Sequence, residues 1–191
     1  MKLALKNILN RESSLLSDEE TEIVLAQQDP AQFRPLYNRY YQPIFIFILK
    51  RVESEALAAD ICSEVFLKAL TNLSKYEMRG FPFSSWLYRI ASNEINTFYR
   101  KQKKNRVVSI TDAGIHSLFE ELDEGEAQEN LLMLKRIMGE LDETSIQLIE
   151  LRFFEKRSFK EMGEILEITE NNAKIRTYRL LAKMRKKFNK K

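Results

Sequence analysis

From Phe81 to Lys104 the chain sets out side chains suited to holding a polyanion: Trp86, Arg89, Asn93, Asn96, Arg100 and Lys104 recur at helical spacing. Wound at about 3.6 residues per turn, they form one face, while Leu87, Ala91, Ile95 and Phe98 form the other. Cations attract phosphates, carboxamides pair with base edges, and an aromatic ring stacks on a base. In front of this helix Phe81 and Phe83 flank Pro82. Such an aromatic loop suits unstacked bases, at about 1–3 kcal/mol per stacked base. The stretch Tyr76–Ser84 is the expected pocket, and Ser84 and Ser85 stand where the helix should be capped. The plain alternative is an amphipathic helix with a solvated basic side.

A second set of residues points to duplex DNA. Ser158-Phe159-Lys160-Glu161 has capping-box spacing and opens a short helix with Met162, Gly163 and Leu166. Thr169 then caps a last helix running to about Phe188. Two helices, a tight turn and a small residue at Gly163 where they cross describe a helix-turn-helix. In the last helix Ala173, Thr177, Leu180 and Met184 turn to the core, with Leu181 at its margin. Asn171, Lys174, Ile175, Tyr178 and Arg179 turn outward. Early outward residues of a recognition helix reach base edges, cations pair with guanine, and Ile175 suits a thymine methyl. A basic helix of a small bundle is the alternative.

The elements that must position these residues are all helical, because only 5 Gly and 4 Pro punctuate the chain. Ser17-Asp18-Glu19-Glu20 opens a first helix through about Gln28. Asp29-Pro30 restarts the chain toward Phe33–Val52, where Pro43 should kink or divide the helix. Ser54 caps a helix to about Leu73, with Asp60, Glu64 and Lys68 in a polar row that, on the residues alone, reads as a solvated face. The segment 107–123 shows no helical stripe and reads as a tether. A helix follows from about Ala127 to Leu141, and Asp142 caps another with Ile146, Ile149 and Phe153 inward. The expected fold class is all-α: two small domains, 1–106 and 127–191, joined by a flexible acidic linker, 107–126.

A net charge of only +3 hides strong segregation. Val107–Leu134 has no Lys or Arg and holds Asp112, Glu120, Glu121, Asp123, Glu124, Glu126 and Glu129. Asn171–Lys191 carries nine basic residues and no acid, which points to a polyanionic partner. With Cys62 and His116 each the only residue of its kind, neither a disulfide framework, a metal site nor a catalytic triad is expected. No catalytic residue, cofactor or small-molecule substrate is expected, and the protein is not read as an enzyme. No apolar run is long enough for a bilayer or a signal peptide, so the chain reads as cytoplasmic, with no membrane insertion.

Trp86-Leu87-Tyr88-Arg89-Ile90-Ala91-Ser92-Asn93, followed by Arg100-Lys101, resembles the promoter-melting segment of bacterial RNA polymerase sigma factors of the sigma-70 family. The match is to their small extracytoplasmic-function (ECF) group. Ala58–Phe66 resembles the segment that docks on the clamp helices of the polymerase's largest subunit, with Ala59 where an acid is usual and Ser63 where glutamine is usual. The resemblance therefore implies Asp60 and Glu64 as polymerase contacts. It also implies Phe81, Phe83, Trp86, Arg89, Asn93, Asn96, Arg100 and Lys104 at the downstream (-10) promoter element. Residues 127–188 resemble the domain that reads the upstream (-35) element. There Asn171, Lys174, Ile175, Tyr178 and Arg179 would face DNA, all but Asn171 at bases, and Arg176 would meet a phosphate. Glu167 replaces a usual glycine, Asn171-Asn172 a Gly-Thr pair, and Ile175 a small polar residue. The implied partners are core RNA polymerase, promoter DNA and an anti-sigma protein; the linker is either a plain tether or a segment threading an RNA channel. A helix-turn-helix regulator acting alone is the alternative function. A nucleic-acid enzyme would need a phosphate loop or a fixed acid cluster, and no such motif is present.

Overall fold

The computed structural model describes residues 18–102, 112–123 and 128–189, and among these every regular element is helical. It forms two compact units, one from Met1–Leu49 and Ser54–Glu94, the other from Lys50–Glu53 and Ile95–Lys191.

The first unit is built from α1 (18–28), a 3-10 turn Pro30–Phe33, α2 (Arg34–Leu49), α3 (Glu55–Asn72), a second 3-10 turn Leu73–Lys75, and the first half of α4 (Phe83–Gln102). Asp29 opens the first turn by accepting the Ala31 N–H at 3.0 Å, with Pro30 in the position where its missing donor costs least. Ser54 caps α3 through the Leu57 N–H. Ala58, Ile61, Cys62, Val65, Phe66 and Ala69 then bury one side of α3 against Leu36, Ile44, Phe47 and Ile48 of α2. Each such large apolar side chain contributes about 1.5–3 kcal/mol on burial. Phe66 is the hub, lying 6.4 Å from Phe33 and 4.9 Å from Tyr37 in edge-to-face pairs. The expected break at Pro43 does not divide α2, which runs unbroken from Arg34 to Leu49. Pro43 is exposed, so the carbonyl deprived of a donor lies on the solvent side while the neighbouring Ile44, Phe47 and Ile48 hold the helix to the core.

The second unit holds the rest of α4, then α5 (Asp112–Leu122), α6 (Gln128–Gly139), α7 (Glu143–Ile149), a π turn Glu150–Phe154, α8 (Phe159–Leu166) and α9 (Glu170–Phe188). Ile137, Ile146, Ile149, Phe153, Met162, Ala173, Leu180 and Met184 form its core. Leu181, expected at the margin, is buried with them. A buried arginine sits in this unit: Arg51 pairs with Glu150 at 3.0 Å and Glu155 at 3.3 Å, and its carbonyl accepts the Tyr99 hydroxyl at 2.8 Å. Two carboxylates and a matched geometry offset the desolvation of that charge.

The tether is corrected. Asp112–Leu122 is helix, and Ile115, Leu118, Phe119 and Leu122 bury one face of it, with Phe119 6.3 Å from the Phe188 ring. That i, i+3, i+4, i+7 stripe is what the acidic composition obscured. Gly114 permits the approach, since a Cβ there would fall on the Phe154 ring. Residues 107–111 and 124–126, together with Ser17 and Lys104, lie outside the described residues.

Candidate nucleic-acid interface

In the second unit the expected helix-turn-helix is present with its caps. Ser158 Oγ accepts the Glu161 N–H at 3.2 Å, and the Glu161 carboxylate returns to the Ser158 N–H at 2.9 Å. Burial works to raise the Glu161 carboxyl pKa. The Ser158 N–H and hydroxyl and the Arg157 guanidinium outweigh it, so the pKa lies below the usual range. Asp142, capping α7, is likewise held low by the Ser145 N–H, against partial burial. Gly163 stands at the crossing: a Cβ there would meet the Ile168 carbonyl oxygen at 2.8 Å and the Glu170 nitrogen at 3.2 Å. The turn itself passes through Glu167 at φ 55, ψ 40, a left-handed conformation that glycine adopts at least cost.

Thr169 then accepts the Asn172 N–H at 3.2 Å and launches α9. The two faces fall as expected. Ala173, Thr177, Leu180 and Met184 are buried, while Asn171, Lys174, Ile175, Arg176, Tyr178 and Arg179 are exposed. Arg176 is oriented by Asn172, to whose Oδ1 its Nε donates at 2.9 Å. Tyr178 leans on Phe159 with ring centres 6.0 Å apart. Arg176, Arg179 and Lys183 also line a groove of about 250 Å³ beside Asp142 and Ser145. A guanidinium pair, an ammonium and an apolar tip on the leading turns of one helix suit base edges and phosphates of a major groove.

In the first unit the polar face of α4 is only partly where the spacing places it. Asn93 and Arg100 are exposed; Arg89 and Asn96 are half-buried. Phe83 and Trp86, expected to face nucleic acid, are 0% and 8% exposed. Phe83 lies 5.2 Å from Tyr76, 5.9 Å from Tyr40 and 5.4 Å from Trp86, so these rings form the floor under the 76–82 loop. Phe81 alone of the expected aromatic pair is half-exposed, and in the same loop Met78 is 44% exposed. The core face shifts by one residue as well: Tyr99 is buried and Phe98 half-buried. The serines do not cap α4. Ser85 lies inside its first turn, fully buried, its hydroxyl without a hydrogen-bond partner. The cap comes from a carboxylate 64 residues earlier, Glu19, which accepts the Phe83 N–H at 3.3 Å.

Asp60 and Glu64 are exposed on α3 as expected. Glu64 pairs with Lys68 at 3.4 Å, and Lys68 also reaches Glu94 at 2.7 Å. Between them on that face stands Leu67, 58% exposed, which the polar row concealed. Its signal was an apolar residue three positions after Glu64 on a helix otherwise burying its large side chains. Among the described residues, no group of three or more His, Cys, Asp or Glu has the placement to hold a metal ion, and no helix is long and apolar enough to cross a membrane.

Two family models match the chain: Sigma-70 region 2 over residues 36–105 and Sigma-70, region 4 over residues 137–186. The RNA polymerase sigma factor SigV of Bacillus subtilis (strain 168) is 30% identical over 75% of this chain and 83% of its own length. The ECF RNA polymerase sigma factor SigM of the same organism is 26% identical over 81% of this chain and 93% of its own. In fold, the chain is similar to CnrH solved in complex with the cytosolic domain of CnrY, at a TM-score of 0.56 and 20% identity, over 86% of this chain and 92% of that one. A polymerase-binding helical domain followed by a helix-turn-helix defines a promoter-specificity subunit. The chain belongs to the sigma-70 family of RNA polymerase sigma factors, in its ECF group. It is thus a protein of promoter-specific transcription initiation, binding RNA polymerase and promoter DNA. A helix-turn-helix regulator acting alone is not favoured, because the region 2 match accounts for the helices such a regulator would not need.

Proposed function

We propose that the chain divides this work among three faces. The exposed α3 row, Asp60 and Glu64 with Leu67 between turns, docks on the clamp helices of the polymerase's largest subunit. The 76–82 loop and α4 capture the non-template strand of the downstream element: Asn93 takes an unstacked base, Phe81 lines the pocket, and Arg89, Arg100 and Lys104 hold phosphates with Asn96 between them. Phe83 and Trp86 act from beneath as the floor of that pocket. The leading turns of α9 read the upstream element, with Lys174, Ile175, Tyr178 and Arg179 at bases, Arg176 at a phosphate and Asn171 at the rim. The domain limits 1–106 and 127–191 describe these two DNA-reading parts, and an anti-sigma protein that covers the same faces in the cytoplasm is the expected regulator.

The observation that carries the proposal is the division of α9: six polar or DNA-suited side chains exposed on its leading turns, and Ala173, Thr177 and Leu180 buried behind them. Base unstacking costs only a few kcal/mol, which stacking and hydrogen bonds offset, so no nucleotide hydrolysis is needed. The test is run-off transcription with purified core enzyme on the gene's own upstream region, combined with permanganate footprinting. Asn93→Ala is expected to leave core binding and the closed complex intact and to reduce strand opening. Wild-type opening by Asn93→Ala would remove the melting role.

A further inference from the structure

Helix α1 presents one face with an unusual order of side chains: Glu19, then Ile23 and Ala26, then Gln27. The two apolar residues are buried, and Glu19 is only 8% exposed. Its carboxylate accepts the Tyr40 hydroxyl and the Phe83 N–H (3.3 Å) and lies 3.8 Å from the Arg39 guanidinium. Burial, then the Glu19 carboxylate, pushes the Tyr40 hydroxyl pKa up, which keeps that proton in place for Glu19. At the other end of the face, the Gln27 amide nitrogen donates to the Leu73 carbonyl at 3.0 Å and the Tyr76 carbonyl at 2.9 Å, using both of its protons.

The backbone atoms held in this way bound one loop. Gln27 grips its entry at Leu73 and Tyr76, and Glu19 its exit at Phe83. Eight residues of helix separate the two grips, about 12 Å. The chain from Tyr76 to Phe83 has an extended reach of about 24 Å. Held at both ends by groups half that distance apart, it must bow outward. Glu77, Met78, Arg79, Gly80 and Pro82 are exposed, Phe81 is half-buried, and Gly80 at φ +72 makes the bend. The loop is largely exposed, and both of its ends are held by side chains of α1.

We propose that α1 is a positioning element for the promoter-strand loop, with Gln27 and Glu19 bracketing residues 76–83 so that the loop is pre-shaped before DNA arrives. The proposal rests on the reading that this loop captures the downstream element. Pre-shaping raises affinity and discrimination by removing the ordering cost from the binding step.

The first experiment is independent of that reading. In the purified full-length chain, limited trypsin digestion is followed at the exposed Arg79–Gly80 bond. Native-state cleavage tracks the population of the locally opened loop. Gln27→Ala is expected to speed cleavage at Arg79 by about tenfold, the loss of two hydrogen bonds, with cuts in α9 unchanged. Gln27→Glu, of nearly the same shape but without the two donors, should do the same; a packing role would leave it close to wild type. Unchanged cleavage with both variants overturns the bracket. Glu19→Gln, which keeps the shape and one acceptor oxygen, should give a smaller rise confined to the same bond.

The second experiment measures strand opening by Gln27→Glu on the natural promoter and on one with a substituted downstream base. The preference for the natural base is expected to fall by about fivefold, with core binding unchanged. Faster cleavage with wild-type preference overturns the positioning role, provided Asn93→Ala reduces opening in the same assay. If Asn93→Ala also opens DNA normally, it is the loop's role in capture that fails, and the positioning proposal falls with it.

Discussion

Gly163 carries a prediction whose sign depends on geometry alone. In an open helix, Gly→Ala stabilises by about 0.8–1 kcal/mol through backbone entropy. Here a Cβ would sit 2.8 Å from the Ile168 carbonyl oxygen, 3.2 Å from the Glu170 nitrogen and 3.4 Å from the Thr169 carbonyl carbon. All three are backbone atoms of the turn leading into α9, so no flexible side chain can swing away. Relieving the oxygen contact requires the turn to move by about half an ångström, and such overpacking costs about 1–3 kcal/mol. The helix-propensity gain offsets part of it, leaving Gly163→Ala less stable by about 1 kcal/mol. The shift also moves Thr169 and Glu170, and so re-aims Lys174 and Ile175. Hydrogen exchange of the most protected α9 amides in the intact protein should quicken by about fivefold. Binding of the polymerase complex to upstream-element DNA should weaken by a similar or larger factor. A slower exchange in Gly163→Ala would show that the crossing is loose enough to take a methyl group, and the account of the turn would be wrong.

Four further outcomes follow from the same geometry. Lys174→Ala and Arg179→Ala should each cost about 1–3 kcal/mol with relaxed preference at one upstream position, whereas Arg176→Ala should weaken all sequences about equally; a uniform effect of all three in a binding titration would undo that sorting. Asp60→Lys with Glu64→Lys should weaken capture of core enzyme on a pull-down without lowering the melting temperature, since both side chains are exposed. Phe83→Ala should cost about 3–5 kcal/mol of stability in thermal unfolding, as a fully buried ring does, while Phe81→Ala should lower strand opening with little change in stability. Acid should loosen the helix-turn-helix unit: the Asp142 and Glu161 carboxyls titrate below their unfolded values of 3.8 and 4.5. Their contribution is complete above those values and disappears as pH falls through the lower folded ones, so the protection of α7 and α8 amides, measured against the unstructured exchange rate at the same pH, should fall below about pH 4.5, less steeply in Glu161→Gln.

What was legible in the sequence was whatever closes within one turn of helix. Ser54, Asp142, Ser158 and Thr169 cap through N–H groups three residues on, and each of these caps is present. The faces of α9 were legible for the same reason, because its periodicity is unbroken over 19 residues. Phe83 and Trp86 escaped because helical spacing assigns a residue to a side, not to a depth. The floor of the loop needs Tyr40 and Tyr76 from other segments to bury those rings. The cap of α4 was beyond reach, since Glu19 and Phe83 are 64 residues apart and neither carries a local signature. In 107–126, charge density hid the short stripe of α5, and only packing against the π turn and α9 makes so short a helix stable.

Cys62 gives the first unit a built-in clock. Its thiol is wholly enclosed between α2 and α3, and burial pushes its pKa up to about 11. That burial disfavours the thiolate in the closed form, and thiolate is the species that alkylating reagents attack. Labelling therefore waits for the helices to part. With no second cysteine in the chain, the rate of a single mass increment reports how often α2 and α3 separate. If polymerase docks over the α3 face as proposed, it should slow that clock, so occupancy of the exposed side could be timed from a sulfur atom on the hidden one.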